Sequence, residues 1–199
     1  MFPLGGVLFP HAKLPLHVFE PRYRTMMEEC LQGDGRFGVV LIERGNEVGG
    51  GDTRFGVGTV ARIAQAGRLP DGRYVVVAVG TQRLRVRKWH ADDPYPEATV
   101  ELLDEPRPEG TAGARRASVQ QLLTRVLALR AQLGEATTPE PMLDEDPVRA
   151  SYQAAASAPV GPLDAQRLLE LDDADARLTA LEHLLTEEAE FLELRLSES

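Results

Sequence analysis

The chain has 199 residues, 43% of them hydrophobic, enough for one medium core or two small ones. Its 22 basic and 31 acidic residues leave a formal charge of −9, which argues against a polyanion binder held by counterion release, so nucleic acid is not an expected partner. The lone cysteine, Cys30, excludes an internal disulfide framework and a zinc knuckle and points to the reducing cytoplasm, while the absence of any apolar run near the ~20 residues of a membrane span, or of a signal-peptide pattern at the start, predicts a soluble, unprocessed chain with no membrane partner.

In chain order, Pro21 follows Glu20 as a first-turn proline. Tyr23, Met26, Met27, Cys30 and Leu31 then recur at three- and four-residue steps, which predicts a helix that Gly33 ends. Residues 37–42 and 74–79 are continuous apolar runs bounded by turn signals, expected to be strands buried on both faces. Pro70-Asp71-Gly72 supplies a fixed φ and a residue that accepts positive φ, so residues 60–69 and 73–79 are predicted to form an antiparallel hairpin. From Gly80 to Asp92 the alternation places Leu84 and Val86 inward and Arg83, Arg85 and Arg87 outward, and residues 95–103 make the last strand. Six or so short strands with one early helix suggest a barrel rather than a parallel sheet with crossover helices.

The period then lengthens. Val119, Leu122, Leu123, Val126, Leu129 and Leu133 mark one face of a long helix that Gly134 terminates. An acidic connector, 135–146, leads to Asp146-Pro147, which has the chemistry of an N-cap and first helical position for a helix reaching Ser157. Residues 163–171 make a short helix, and Asp172 or Asp173 caps a last one carrying Leu178, Leu181, Leu184, Leu185 and Leu192. Charge changes with period: residues 1–107 carry 14 basic and 14 acidic side chains, residues 108–199 carry 8 and 17. The expected division is a β-barrel subdomain over 1–107 and an α-helical bundle over 108–199, joined near residues 105–110.

Phe2-Pro3-Leu4, Leu8-Phe9-Pro10 and the run Leu14-Pro15-Leu16-His17-Val18-Phe19-Glu20-Pro21-Arg22-Tyr23-Arg24 together resemble the N-terminal substrate-binding domain of Lon proteases, and the likeness continues through Gly58-Thr59-Val60-Ala61, Gly80-Thr81-Gln82-Arg83 and the closing helices. The resemblance implies an α+β fold, a PUA-like β pseudobarrel with one early helix followed by a C-terminal helical bundle. It also implies a module that engages unfolded or damaged polypeptide. A nucleotide motor needs a glycine-rich loop ending in Gly-Lys-Ser/Thr, yet the only lysines, Lys13 and Lys88, follow Ala12 and Arg87. Ser118, Ser151, Ser157, Ser197 and Ser199 match no nucleophile motif. Neither ATP hydrolysis nor proteolysis is therefore carried over, and no catalytic residue is expected.

Candidate binding residues fall into three sets. Phe19, Tyr23, Met26, Met27 and Leu31 could form an adaptable apolar peptide-binding patch, or simply core. Arg83, Arg85 and Arg87 could meet phosphates or acidic peptide, which opens an alternative of RNA or small-ligand binding through the barrel, or could be a solvated face balanced by acids on neighbouring strands. His17, Glu20, Arg22 and Arg24 are read as structural: a hydrogen bond from the His17 ring, and an ion pair of Glu20 with a nearby guanidinium at the strand-to-helix corner. Gly56-Val57-Gly58-Thr59-Val60-Ala61 fits a dinucleotide fingerprint on paper but leads into strand, and Glu47-Val48-Gly49-Gly50-Gly51-Asp52 reads as a loop tip. His11, His17, His90 and His183 lack metal-ligand spacing, so neither metal nor cofactor is expected. The acids Glu187, Glu188, Glu190 and Glu193 beside Leu192 and Leu196 either dock a partner or are a solvated face. The expected activity is non-catalytic, ATP-independent polypeptide binding, with a separate protease or chaperone as a possible partner; a hydrolase is the remaining class.

Overall fold

A computed structural model describes residues 1–45, 51–108, 111–136 and 142–198. It separates into two compact units, Met1–Asp104 and Glu105–Ser199, so Glu105, Pro106 and Arg107 group with the helices. Most of the expected loop tip, Glu47 to Gly50, and parts of the joint and of the acidic connector lie outside the described residues.

The first unit is a mixed, curled half-barrel sheet. Its strands are β1 (Phe2–Leu4), β2 (Lys13–Val18), β3 (Arg36–Arg44), β4 (Thr53–Arg68), β5 (Tyr74–Trp89) and β6 (Ala98–Leu102), ordered β1-β3-β4-β5-β2 with β6 also on β5. β1 runs parallel to β3, and every other pair is antiparallel. What the alternation suggested were two short strands, 73–79 and Gly80 onward, is one strand of 16 residues. β2 pairs with its first half, Tyr74 to Val79, and β6 with its second, Leu84 to Trp89, while β4 follows the opposite edge. Register shifts in β3–β4, β4–β5 and β5–β6 bend the long strands, as bulges do, so that the sheet curls.

The helix α1 (Pro21–Gln32) packs Tyr23, Met26 and Met27 into a core with Phe2, Val18, Phe37, Val39, Val76 and Ala78. Phe2 stacks on Tyr23 at 4.3 Å between ring centroids. Glycines permit the closest approaches. Gly80 exchanges backbone bonds with His11 (2.8 Å) and Ala12 (2.9 Å), and a Cβ there would collide with the Phe9 carbonyl. Beside it, buried Thr59 donates to the Leu8 carbonyl at 2.5 Å. Gly58 and Thr59, part of the paper fingerprint, are thus packing positions inside β4, with no strand-to-helix turn to face a pyrophosphate. Gly72 takes φ +82° at the expected hairpin turn.

The second unit holds α2 (Ala112–Gln132), α3 (Pro147–Ser157), α4 (Pro162–Glu170) and α5 (Ala174–Ser197). Gly134, at φ +76°, follows α2 and donates to Ala131; Asp146 caps α3 through Val148 N, and Asp173, one of the two aspartates named from sequence, caps α5 through Ala176 N. Val119, Leu123 and Val126 of α2 and Leu178, Leu181, Leu185 and Leu192 of α5 are buried. Along the α2–α5 seam, Arg115 pairs with Glu182 (2.7 Å), Arg130 with Glu188 (2.6 Å), and Arg125 Nε with Glu193 (2.9 Å).

The centre of this unit is Arg177, which has no solvent exposure. Its Nε donates to Ser151 Oγ (2.9 Å), its Nη1 to the Leu171 carbonyl (3.0 Å) and its Nη2 to Glu105, while its Cζ lies 3.8 Å from the Tyr152 ring centroid. Tyr152 donates its hydroxyl to the same Glu105 at 2.5 Å.

Two substitutions test these constraints by thermal and urea unfolding. Gly80→Ala should cost about 1–3 kcal/mol, because the Phe9 backbone has little room to yield, whereas Gly6→Ala, with open space around it, should change little. Arg177→Met should cost about 3–5 kcal/mol by removing the cation that meets Glu105 and the bonds to Ser151 and Leu171, while Arg195→Met, on the exposed end of α5, should be nearly neutral.

Candidate functional site

At the entrance to α1 the chain turns from β2 through Phe19 and Glu20. Glu20 adopts extended geometry before the helix, and its carboxylate accepts from Arg22 Nε at 3.2 Å rather than capping a backbone N–H. Arg22 also lies 4.5 Å over the Tyr23 ring, whose hydroxyl burial pushes up to about 12. Arg24 sets its guanidinium against Gly72 of the β4–β5 turn. His17 differs from expectation: it is exposed on β2, opposite Val75, and its ring has no hydrogen-bond partner among the described residues. It alternates with half-buried Leu16 and buried Val18, on the outward side of β2.

The expected apolar patch is divided by burial. Tyr23, Met26 and Met27 are at most 3% exposed, because they form the stripe by which α1 fills the concavity of the sheet, and they cannot present a surface. Phe19 and Leu31 are exposed, but Phe19 precedes α1 and Leu31 lies in its last turn, about 15 Å beyond Pro21 along a helix rising ~1.5 Å per residue. Cys30, between core and solvent, donates its thiol to the Arg36 carbonyl at 3.3 Å, and burial raises its pKa.

The arginine row is also corrected. Arg83 is buried alongside Leu84, since this part of β5 is covered on both faces. Arg85 is half-buried opposite Val57 and Glu101, and exposed Arg87 pairs with Glu101. The three guanidinium groups therefore do not form one free cationic face. Conversely, the run 74–79, expected to be buried on both sides, is buried on one: Tyr74, Val76 and Ala78 face the core, while Val75 is exposed and Val77 and Val79 are half-buried on the side shared with Pro15 and His17. The signal for this was the alternation in its partner strand, where Lys13, Pro15 and His17 alternate with Leu14, Leu16 and Val18.

A cluster that sequence reasoning did not single out lies between β4 and the end of β5. Arg54 is held by Asp52 (Nη2–Oδ1 3.1 Å) and Asp92 (Nη2–Oδ2 2.9 Å), and lies 4.7 Å over the Trp89 ring. With Gly51, Thr53 and His90 these residues line an open cavity of about 450 Å³. The Arg54 hydrogen bond holds the Asp52 carboxyl below its ordinary value. Burial works against the Arg54 charge, but its bonds to both aspartates outweigh that and raise its pKa. The donors of Arg54 that face the aspartates are thus committed, and the cluster acts as a clamp rather than an anion receptor. Elsewhere, Ser151 donates to the Val148 carbonyl, and Ser118 donates to Glu182, whose carboxylate also pairs with Arg115 and is held below its ordinary pKa by these bonds, which weakens it as a base. Among the described residues no group of three or more His, Cys, Asp or Glu side chains is placed to hold a metal ion, and no helix is long and apolar enough to cross a membrane.

A curled mixed sheet that buries an early helix, followed by a helical unit built on the long helix α5, defines an α+β protein with its helices gathered after the sheet. Residues 1–187 match the family described as the ATP-dependent protease La (LON) substrate-binding domain, and the chain belongs to that family. It is 28% identical over 193 residues to a Lon protease of Cytophaga hutchinsonii, covering 95% of this chain and 24% of that protein. A Lon protease of Desulfovibrio desulfuricans is 30% identical over 188 residues, at 92% and 21% coverage. The chain thus spans about a quarter of the length of these relatives. Among solved structures, a Lon N-terminal domain protein from Xanthomonas campestris superposes with a TM-score of 0.69 at 26% identity, covering 90% of this chain and 94% of that one. The N-terminal domain of a Mycobacterium avium complex Lon protease shares the fold, with a TM-score of 0.62 at 19% identity and 92% and 96% coverage.

Because Trp89 is the single tryptophan, its fluorescence reports on the clamp. Asp52→Asn should lower stability at neutral pH. The folded carboxyl titrates below its ordinary 3.8, so its contribution is complete above that value and is lost as pH falls through the lower folded one. Urea midpoints of wild type and variant should therefore differ at pH 7 and converge in acid.

Proposed function

We propose that the chain is a non-catalytic binder of polypeptide, capturing exposed apolar segments of unfolded or damaged proteins without ATP and leaving any cleavage or refolding to a separate protease or chaperone. What carries the reading is the match of residues 1–187 to a substrate-binding family, in a sequence whose two lysines lie in no Walker A motif. The lone cysteine and the Lon relatives support a reducing, cytoplasmic setting. The described surface offers apolar side chains with which such a role could be performed: Phe19 and Leu31 flanking α1, and Val75 with Pro15 on the outer face of the sheet. Such contacts gain from burial of apolar area and tolerate varied sequences. The RNA alternative has less support, since Arg83 is buried and Arg87 pairs with Glu101.

The test is fluorescence anisotropy of a labelled, permanently unfolded polypeptide titrated with the full chain at low and moderate salt, with a labelled RNA in parallel. Polypeptide binding that persists at moderate salt, with no RNA binding, is the expected result. Salt-sensitive RNA binding without polypeptide binding would overturn the proposal.

A further inference from the structure

The buried seam of α5 runs through Leu178, Leu181, Leu185, Ala189 and Leu192, which a helix packed against α2 requires. α5 carries apolar residues beyond that need. Leu184 is half-buried, and Phe191 and Leu194 are 55% and 57% exposed. Spaced by seven and three residues, the three lie along one side of the helix over about 15 Å. At the Leu184 end the stripe opens into a cavity of about 280 Å³, whose other wall is Pro159, Val160 and Gly161 from the connection between α3 and α4. The walls are preformed, since Arg177 ties α5 to α3 and to the end of α4.

The rim is acidic. Asp164, Glu187 and Glu188 border the cavity, and Glu190 follows beside the stripe. Asp164 is shared with Arg167 (2.9 Å) and Glu188 with Arg130 (2.6 Å), whereas Glu187 and Glu190 make no ion pair among the described residues. Besides Arg167 and Arg130, which are taken up by these acids, Arg195 stands 5.8 Å from the Phe191 ring centroid and is bonded to Glu135 at 2.9 Å. An apolar stripe bordered by carboxylates without ion pairs among the described residues favours a cationic apolar occupant and repels an acidic one. We propose that this groove of the helical unit docks a polypeptide segment carrying apolar anchor residues flanked by lysine or arginine, with the anchors at Leu184 and Phe191 and the cations at Glu187 and Glu190.

The inference rests on the reading that the chain binds polypeptide, and adds the place and the charge preference. Two labelled peptides test it, with identical leucine and phenylalanine anchors flanked by lysines in one and by glutamates in the other, titrated against the full chain by anisotropy. The lysine peptide should bind roughly tenfold tighter, with that advantage shrinking as salt rises. Phe191→Ser should weaken the lysine peptide roughly tenfold, and Leu194→Ser should act in the same direction; both residues are exposed, and circular dichroism checks that the helices persist. The double variant Glu187→Lys, Glu190→Lys should reverse the preference. Equal affinity for the two peptides, or binding indifferent to all of these variants, overturns the groove. If wild type and Phe191→Ser bind the permanently unfolded polypeptide equally and ignore peptide charge, the groove fails and the general function stands. If only the lysine peptide binds, and Phe191→Ser abolishes it, the groove stands and capture of unfolded chains fails.

Discussion

A guanidinium removed from water costs several kcal/mol unless its charge is met and its donors are used, and Arg177 accepts that condition at the centre of the helical unit. Each partner belongs to a different segment: Glu105 precedes α2, Ser151 and Tyr152 lie on α3, Leu171 closes α4, and Arg177 itself is on α5. An apolar residue of similar volume could fill the space, but it would specify neither the angle of α3 nor the end of α4. The ion pair and its bonds have one good geometry, so the alanine-rich face of α3, which alone could slide, is held in register. The walls of the cavity beside α5 inherit that order, and a surface ordered in advance loses less entropy on binding.

The sheet unit meets a different constraint. β5 must satisfy backbone groups on both edges over 16 residues, yet no single neighbour except β4 follows it far. β2 and β6 divide the remaining edge, and the register shifts bend the sheet between them. The bend makes the concavity that Tyr23, Met26 and Met27 fill. Strand alternation turns Val75 to the other face, and so the sheet that builds the core leaves apolar side chains on its outer side. β2, which ends the sheet path, carries Lys13 and Pro15, a charge and a missing N–H that discourage pairing with another chain.

These features explain what the sequence disclosed and what it withheld. Caps and stops were legible because they depend on one or two adjacent residues: Asp146 before Pro147, Asp173 before α5, Gly134 after α2, Gly72 in the hairpin. The family motif between Leu14 and Arg24 was legible for the same reason. Burial was less so, since alternation gives the period of a strand but not which faces are covered. Arg83 and Arg87 look alike in sequence, yet one is buried where both faces are packed and the other meets Glu101 near the end of β5. Met26 and Phe19 differ in exposure because one faces the sheet and the other precedes the helix. Arg177 and Arg54 were invisible as centres, because their partners lie up to 72 and 38 residues away.

The acids of α5 show how far such a reading can be refined. Four glutamates in a short span read as solvent exposure, and two of them, Glu188 and Glu193, are explained by Arg130 and Arg125 of α2. Leu192, which sequence placed beside them as a candidate contact, is in the core. What remains unexplained by the α2–α5 seam is Phe191 and Leu194 in water and Glu187 and Glu190 without an ion pair among the described residues. Exposed apolar side chains gain nothing for stability, and clustered carboxylates repel one another at helical spacing. Both costs vanish when a cationic, apolar segment lies along the helix, so the residues that the fold does not use are those a bound polypeptide would.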